Sequence, residues 1–254
     1  MSEAACRSSV PVFHTDGVRT RLSYPCLEDA RLVHGLVVFK NLTLGADYAA
    51  WHAMVSVELR SSLAPAPDRI VIPHQVHSSR VIDADAAGPG VPVADALVTG
   101  APSTAIAVSV SDCVPLFAVD FEHGVIGLAH CGWKGTAGGV VEEFLRGLIA
   151  KEADPKATTF VVGAAIGSCC YRVHDDLLEC FDSREAAKYS RPAGGGMFFD
   201  LKGVVASRLI SAGAARAKVS IDDTCTSCRS DILASYRKEG KACGRMLAFL
   251  MLTP

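Results

Sequence analysis

Apolar residues in this chain fall mostly into short unbroken runs, the pattern of strands buried on both faces. Residues 105–110, 114–119 and 125–129 form three such runs, each bounded by turn-forming residues. Residues 158–165 make a further buried-strand candidate, and 247–252 reads as a closing strand. The β-rich run 69–72 delivers His74 and His77 just past its end. Apolar residues at three-and-four spacing predict helices over 52–61, 140–151 and 201–212, the last with Asp200 as its cap. A shorter helix is expected over 175–181. Proline-containing stretches 61–68 and 86–93 read as loops, and Gly194-Gly195-Gly196 as a flexible turn with no strand before it. Strict βαβ alternation is absent. The pattern therefore predicts an α+β fold, one domain over 1–254 in which mixed β-sheets are layered with helices, with 1–12 as a loose leading segment.

Composition narrows the function classes. A chain of 254 residues that is 50% apolar can bury a sizeable core. Its formal charge of −2 gives no general attraction to nucleic acid or to an anionic membrane. No apolar run approaches the ~20 residues of a membrane span, and the first twelve residues lack the apolar core of a secretory signal. A cytoplasmic protein with neither nucleic-acid nor membrane partners is expected, and its oligomeric state is left open. Ten cysteines suggest a disulfide framework, but such frameworks belong to small secreted domains. Core packing is expected for most of them and metal or thiolate chemistry for a few.

Candidate chemistry gathers at the ends of the apolar runs. His77, Cys113 and His130 offer imidazole and thiolate, good zinc donors, and three protein ligands leave a fourth position open. His74 competes with His77, because residues three apart on a strand face opposite sides. Asp112 is a candidate hydrogen-bond partner or proton shuttle, with a solvated turn carboxylate as the plain alternative. Lys134, Gly135 and Thr136 open a glycine-rich turn before the 140–151 helix, where free N–H groups and an ammonium would suit phosphate. Cys225-Thr226-Ser227-Cys228 has the spacing of a redox pair or half a zinc site. No second pair of that spacing completes it, so these are expected to be accessory reduced thiols, and the vicinal Cys169-Cys170 structural.

Several motifs occur together in one order: Gln75-Val76-His77-Ser78, Ala94-Asp95-Ala96-Leu97, Ser111-Asp112-Cys113-Val114-Pro115 and Ala129-His130-Cys131-Gly132-Trp133-Lys134-Gly135-Thr136. Ala165-Ile166-Gly167-Ser168-Cys169-Cys170-Tyr171, Cys225-Thr226, Ser235-Tyr236-Arg237 and Gly244-Arg245-Met246 follow. From about His34 onward the chain resembles the YfiH family, long labelled multicopper polyphenol oxidase or laccase-like. Its members are regarded as zinc-dependent purine nucleoside phosphorylases with adenosine deaminase activity. The resemblance implies an α/β/β/α fold related to cytotoxic-necrotising-factor-type hydrolases. It implies His77, Cys113 and His130 as ligands of zinc, with His74 outside the set and copper able to compete in vitro. It implies purine nucleosides and phosphate as substrates. Cys113 and His130 are then the expected catalytic residues, with Asp112 beside them as the candidate proton shuttle.

The chain departs from the family at three points. The usual arginine after His34-Gly35 is missing, and Lys40 is the nearby cation; Lys134 stands where arginine is common, and Cys131 where alanine is. Two other activities compete. A thiol hydrolase acting on cell-wall precursor peptides would use Cys113 as nucleophile and His130 as base. A copper phenol oxidase would need paired histidines, and the eight here include no His-x-His. A non-catalytic metal-stabilised protein would need a fourth ligand, which these motifs do not supply.

Overall fold

A computed structural model describes residues 10–15, 19–40, 42 and 47–254. Two six-stranded mixed sheets stack face to face. The first runs, in spatial order, Val12–Thr15, Thr20–Ser23, Leu32–Phe39, Arg245–Leu252, Thr104–Val110 and Arg69–Val71. The second runs Val219–Ile221, Thr159–Val162, Val114–Asp120, Val125–Cys131, Ala96–Thr99 and Val81–Asp83. Parallel pairing is confined to edge strands: one edge of the first sheet and both edges of the second.

The unbroken apolar runs are explained by what each sheet face meets. Along Arg245–Leu252, the side chains of Leu247, Phe249 and Met251 join Trp51, Val55 and Leu59 of the Tyr48–Ser62 helix. The alternate residues Met246, Ala248 and Leu250 enter the slab between the sheets. In the Val114–Asp120 strand, Phe117 and Val119 face that same slab. Leu116 and Ala118 face Phe144 and Val204 of the outer helices Val140–Ala150 and Leu201–Ser211. With both faces covered there is no polar side to alternate with. The layers are helix, sheet, sheet, helix, as the expected α+β fold required.

Several expectations are adjusted. The first helix begins at Tyr48, four residues early, because Asp47 caps it by accepting from Ala50 N at 3.1 Å. Asp200 caps Leu201–Ser211 as expected, accepting from Gly203 N at 3.0 Å. The glycines at 194 and 195 turn a hairpin between Ser190–Ala193 and Gly196–Phe199, so a strand does precede them. Pro192 is tolerated there because its strand is at the edge of a three-stranded sheet. Of the segment expected to be loose, 1–9 lies outside the described residues, and Val12 already begins a strand. The glycine-rich turn expected over 135–139 overlaps a short helix, Trp133–Ala137.

Candidate active site

The site draws one histidine from a loop, one cysteine from a turn and one histidine from a strand. Strand Arg69–Val71 ends before His74, so both His74 and His77 lie on a loop. Gln75 pins that loop to the first sheet: its side-chain amide donates to Ser109 O at 2.8 Å and accepts from Ser109 N at 2.7 Å. Asp95, just ahead of strand Ala96–Thr99, pins it to the second. One Asp95 oxygen accepts from His77 N at 3.0 Å, and the other from Ser78 N at 2.6 Å, Ser78 Oγ at 2.7 Å and Val76 N at 3.3 Å. Three successive N–H groups thus wrap one carboxylate, a nest that turns His77 into the left-handed region at φ 59°.

The same Asp95 receives His130 Nδ1 at 2.9 Å. That bond leaves Nε2 of His130 to face Cys113 and His77, in the arrangement typical of metal-ligating histidine. The ligand atoms of His77, Cys113 and His130 all lie within 4.8 Å of one another, with Cys113 Sγ 4.0 Å from His77 Nε2. Gly132 makes the room: a Cβ there would stand 2.7 Å from His77 Cδ2 and 3.1 Å from Cys113 Sγ.

Electrostatics favour a thiolate. Burial alone would raise the Cys113 thiol, but His130 and His77 outweigh it and bring it down to about 6. Burial would lower His130, yet the Cys113 charge and Asp95 push it up to about 9. Asp95 would be raised by burial, and its bonds from His130 and Ser78 instead hold it at about 2. Both shifts favour a thiolate beside an imidazolium.

These residues open into a cavity of about 480 Å³, within the range of small-molecule sites. Tyr48, Trp51, Trp133, Tyr171 and Tyr236 give it aromatic walls, and Arg237 and Arg245 give it two guanidinium groups. The turn 111–113 crosses from the first sheet to the second. Ser111 Oγ accepts from Arg245 Nη1 at 2.6 Å. Asp112 Oδ1 accepts from Thr226 Oγ1 at 2.6 Å and Ser235 Oγ at 2.8 Å, and Oδ2 from Arg237 N at 2.7 Å.

The carboxylate bonded to a cluster histidine is Asp95. Asp112 lines the cavity and accepts hydrogen bonds from the 226–237 segment. Lys134, Gly135 and Thr136 do not line the cavity. Thr136 is fully buried and Gly135 fits closely under the chain, where a Cβ would meet Ser78 O at 2.9 Å. Lys134 is exposed, its ammonium 5.5 Å from the centre of the Trp133 ring. Lys40 is also turned elsewhere, donating to the carbonyls of Ser230 and Leu233 and pairing with Glu239 at 3.2 Å. Asp95, Gln75, Arg237 and Arg245 are the residues that sequence reasoning gave no role. A carboxylate inside the apolar run 94–98 was the available signal for Asp95, since a buried charge needs partners.

His74 lines the same cavity but stacks on Tyr48, ring centres 4.2 Å apart, and stands outside the cluster. His74→Ala is expected to leave the metal content at the wild-type value by elemental analysis. A metal-poor His74→Ala protein alongside a metal-replete His77→Ala protein would reverse the assignment.

Fold and cavity together place this chain in the YfiH-like class of α+β proteins. It belongs to the family described as multi-copper polyphenol oxidoreductase laccase, whose model matches residues 41–253. The purine nucleoside phosphorylase YlmD of Geobacillus stearothermophilus is 33% identical over 165 residues, 63% of this chain and 60% of that protein. The match thus spans about three fifths of YlmD. The adenosine deaminase RL5, from an unknown prokaryotic organism, is 28% identical over 230 residues, 84% of this chain and 87% of that one. The crystal structure of the Bacillus licheniformis protein YfiH superposes with a TM-score of 0.81 at 25% identity, covering 95% of this chain and 99% of that one. Among the described residues, no helix is long and apolar enough to cross a membrane.

Proposed function

We propose that this chain is a zinc-dependent purine nucleoside phosphorylase that also deaminates adenosine. The supporting observation is the His77, Cys113 and His130 cluster inside an aromatic-walled cavity that also holds two guanidinium groups. One thiolate and two imidazoles suit zinc and leave a fourth position for water or substrate. Copper would compete for the same donors in vitro. Held by His77, Cys113 and His130, zinc would supply Lewis acidity and a water of lowered pKa for deamination.

The aromatic walls supply faces against which a purine stacks. In phosphorolysis, a phosphate oxygen bonds to the ribose anomeric carbon while the bond to the purine nitrogen breaks, and the base leaves with the electron pair. Arg245 and Arg237 would orient the phosphate, each guanidinium retaining N–H donors beyond those bonded to Ser111 Oγ or to the carbonyls of Arg172 and Cys170. A lost charge-assisted contact costs roughly 1.5–3 kcal/mol. Arg245→Ala is therefore expected to raise the phosphate requirement about 10- to 150-fold, and Lys134→Ala to change it little. Nucleoside cleavage by the wild type that ignores phosphate would sink the phosphorylase reading.

One observation favours a second reading, a thiol hydrolase. Without metal, Cys113, His130 and Asp95 form a thiolate, imidazolium and carboxylate series, the order a nucleophile, base and orienting group would take. Stripping metal with a chelator separates the two. The zinc reading expects turnover to vanish and to return on adding zinc, whereas thiol chemistry would persist in the stripped protein.

A further inference from the structure

A second group of donors lies outside the cavity. The sulfurs of Cys169, Cys170, Cys225 and Cys228 all lie within 4.8 Å of one another. Sequence separates them into a vicinal pair and a two-residue-spaced pair, and the fold brings both to one point. Cys228 Sγ is 3.4 Å from Cys170 Sγ and 3.6 Å from Cys169 Sγ. Those separations exceed the ~2.05 Å of a disulfide. They are near the edge of a tetrahedron whose metal–sulfur bonds are about 2.3 Å.

The surrounding backbone is already set for such a site. Ala165 and Cys225 form a parallel bridge, and Thr226 N donates to Ala165 O at 3.1 Å. Gly167 N donates to Cys225 Sγ at 3.2 Å, a bond that stabilises an anionic sulfur. Thiols that only filled space would be expected in the interior, yet Cys169 and Cys228 are exposed. Four sulfurs converging at a surface are the donor set of a closed structural metal site.

We propose that Cys169, Cys170, Cys225 and Cys228 bind one zinc ion as four thiolates, separate from the cavity cluster. The four thiols release their protons as the ion binds, leaving a complex of net charge −2. The span surrounds a single ion and leaves no room for bridging sulfides, which argues against an iron–sulfur cluster. The ion would lock the 165–172 loop to the 225–229 turn. Tyr171 lies in that loop, Arg237 Nη1 bonds Cys170 O at 3.3 Å, and Thr226 holds Asp112. The site therefore supports one wall of the cavity without entering it.

The test is zinc per chain in the full-length protein, purified under reducing conditions without chelator. The proposal predicts that Cys113→Ala retains one zinc, and that Cys228→Ser loses one zinc relative to wild type. Cobalt exchanged into Cys113→Ala should show the intense sulfur-to-metal charge transfer of four thiolates, which keeps the test valid even if Cys228→Ser does not fold. A Cys113→Ala protein without zinc, iron in place of zinc, or a Cys170 to Cys228 disulfide in the freshly purified protein would each overturn the proposal. The proposed activity is tested separately by this series. One zinc in both wild type and Cys113→Ala, with none in Cys228→Ser, would defeat the cavity zinc and leave this site standing.

Discussion

Cys113→Ala is expected to remove one zinc per chain and to lower nucleoside turnover by more than about 100-fold. Losing a partner that only orients a ligand already costs about 10- to 100-fold in metal affinity or activity. Here the anionic ligand itself is lost, and two imidazoles are left to hold the ion. The thiol sits on the turn between two largely buried strands, and alanine there leaves both ladders intact. A folded, inactive protein with one zinc fewer than wild type is the outcome that fits. Unchanged zinc with lost turnover would transfer the chemistry to Cys113 as a nucleophile.

Asp95→Asn should be nearly as damaging, through a different physical route. Asp95 is fully buried, and both its oxygens accept hydrogen bonds. An amide replaces one acceptor by an NH₂ group, which would face N–H donors and leave them unpaired. The carboxyl is held at about 2 in the folded protein, against 3.8 for the free group. It thus contributes stability on the order of 2 kcal/mol that is present above the free value and lost as pH falls toward 2. Asp95→Asn is expected to lower Tm by roughly 5–10 °C at neutral pH and zinc affinity about 10- to 100-fold. Wild-type Tm and zinc affinity in this variant would show that the nest and His130 hold without the charge.

How much of this was legible depended on whether a residue's partners were near it in sequence. The buried strands were readable because both faces are covered, so each appeared as an apolar block. Val12–Thr15 and Thr20–Ser23 were not, because an edge hairpin of mostly exposed and half-buried residues lacks that block. His77, Cys113 and His130 stood at the ends of recognisable runs, and the fold gathers them. The glycines around Lys134, Gly135 and Thr136, which suggest an anion cradle in the sequence, have packing duties in the fold. Gly132 is small to admit His77 and Cys113, and Gly135 to pass under Ser78 O. The four-cysteine cluster was hidden because its halves come from different segments, one of them without the usual spacing. Arg237 and Arg245 gave no periodic signal, since their place is set by contacts to Tyr171 and Ser111.

Ser111, Asp112 and Cys113 are three successive residues with three separate duties: Ser111 bonds Arg245, Asp112 grips the 226–237 segment, and Cys113 faces the two histidines. A turn so fully committed has no tolerance for a change in length. One inserted residue would carry at least one of these groups away from its partner, and no local adjustment could restore all three, because the flanking strands belong to different sheets. Diversity in substrate range would therefore have to come from point substitution in the aromatic walls. A variant library that fixes 111–113 and varies Tyr48, Tyr171 and Tyr236 would explore new ligands while keeping the scaffold that presents them.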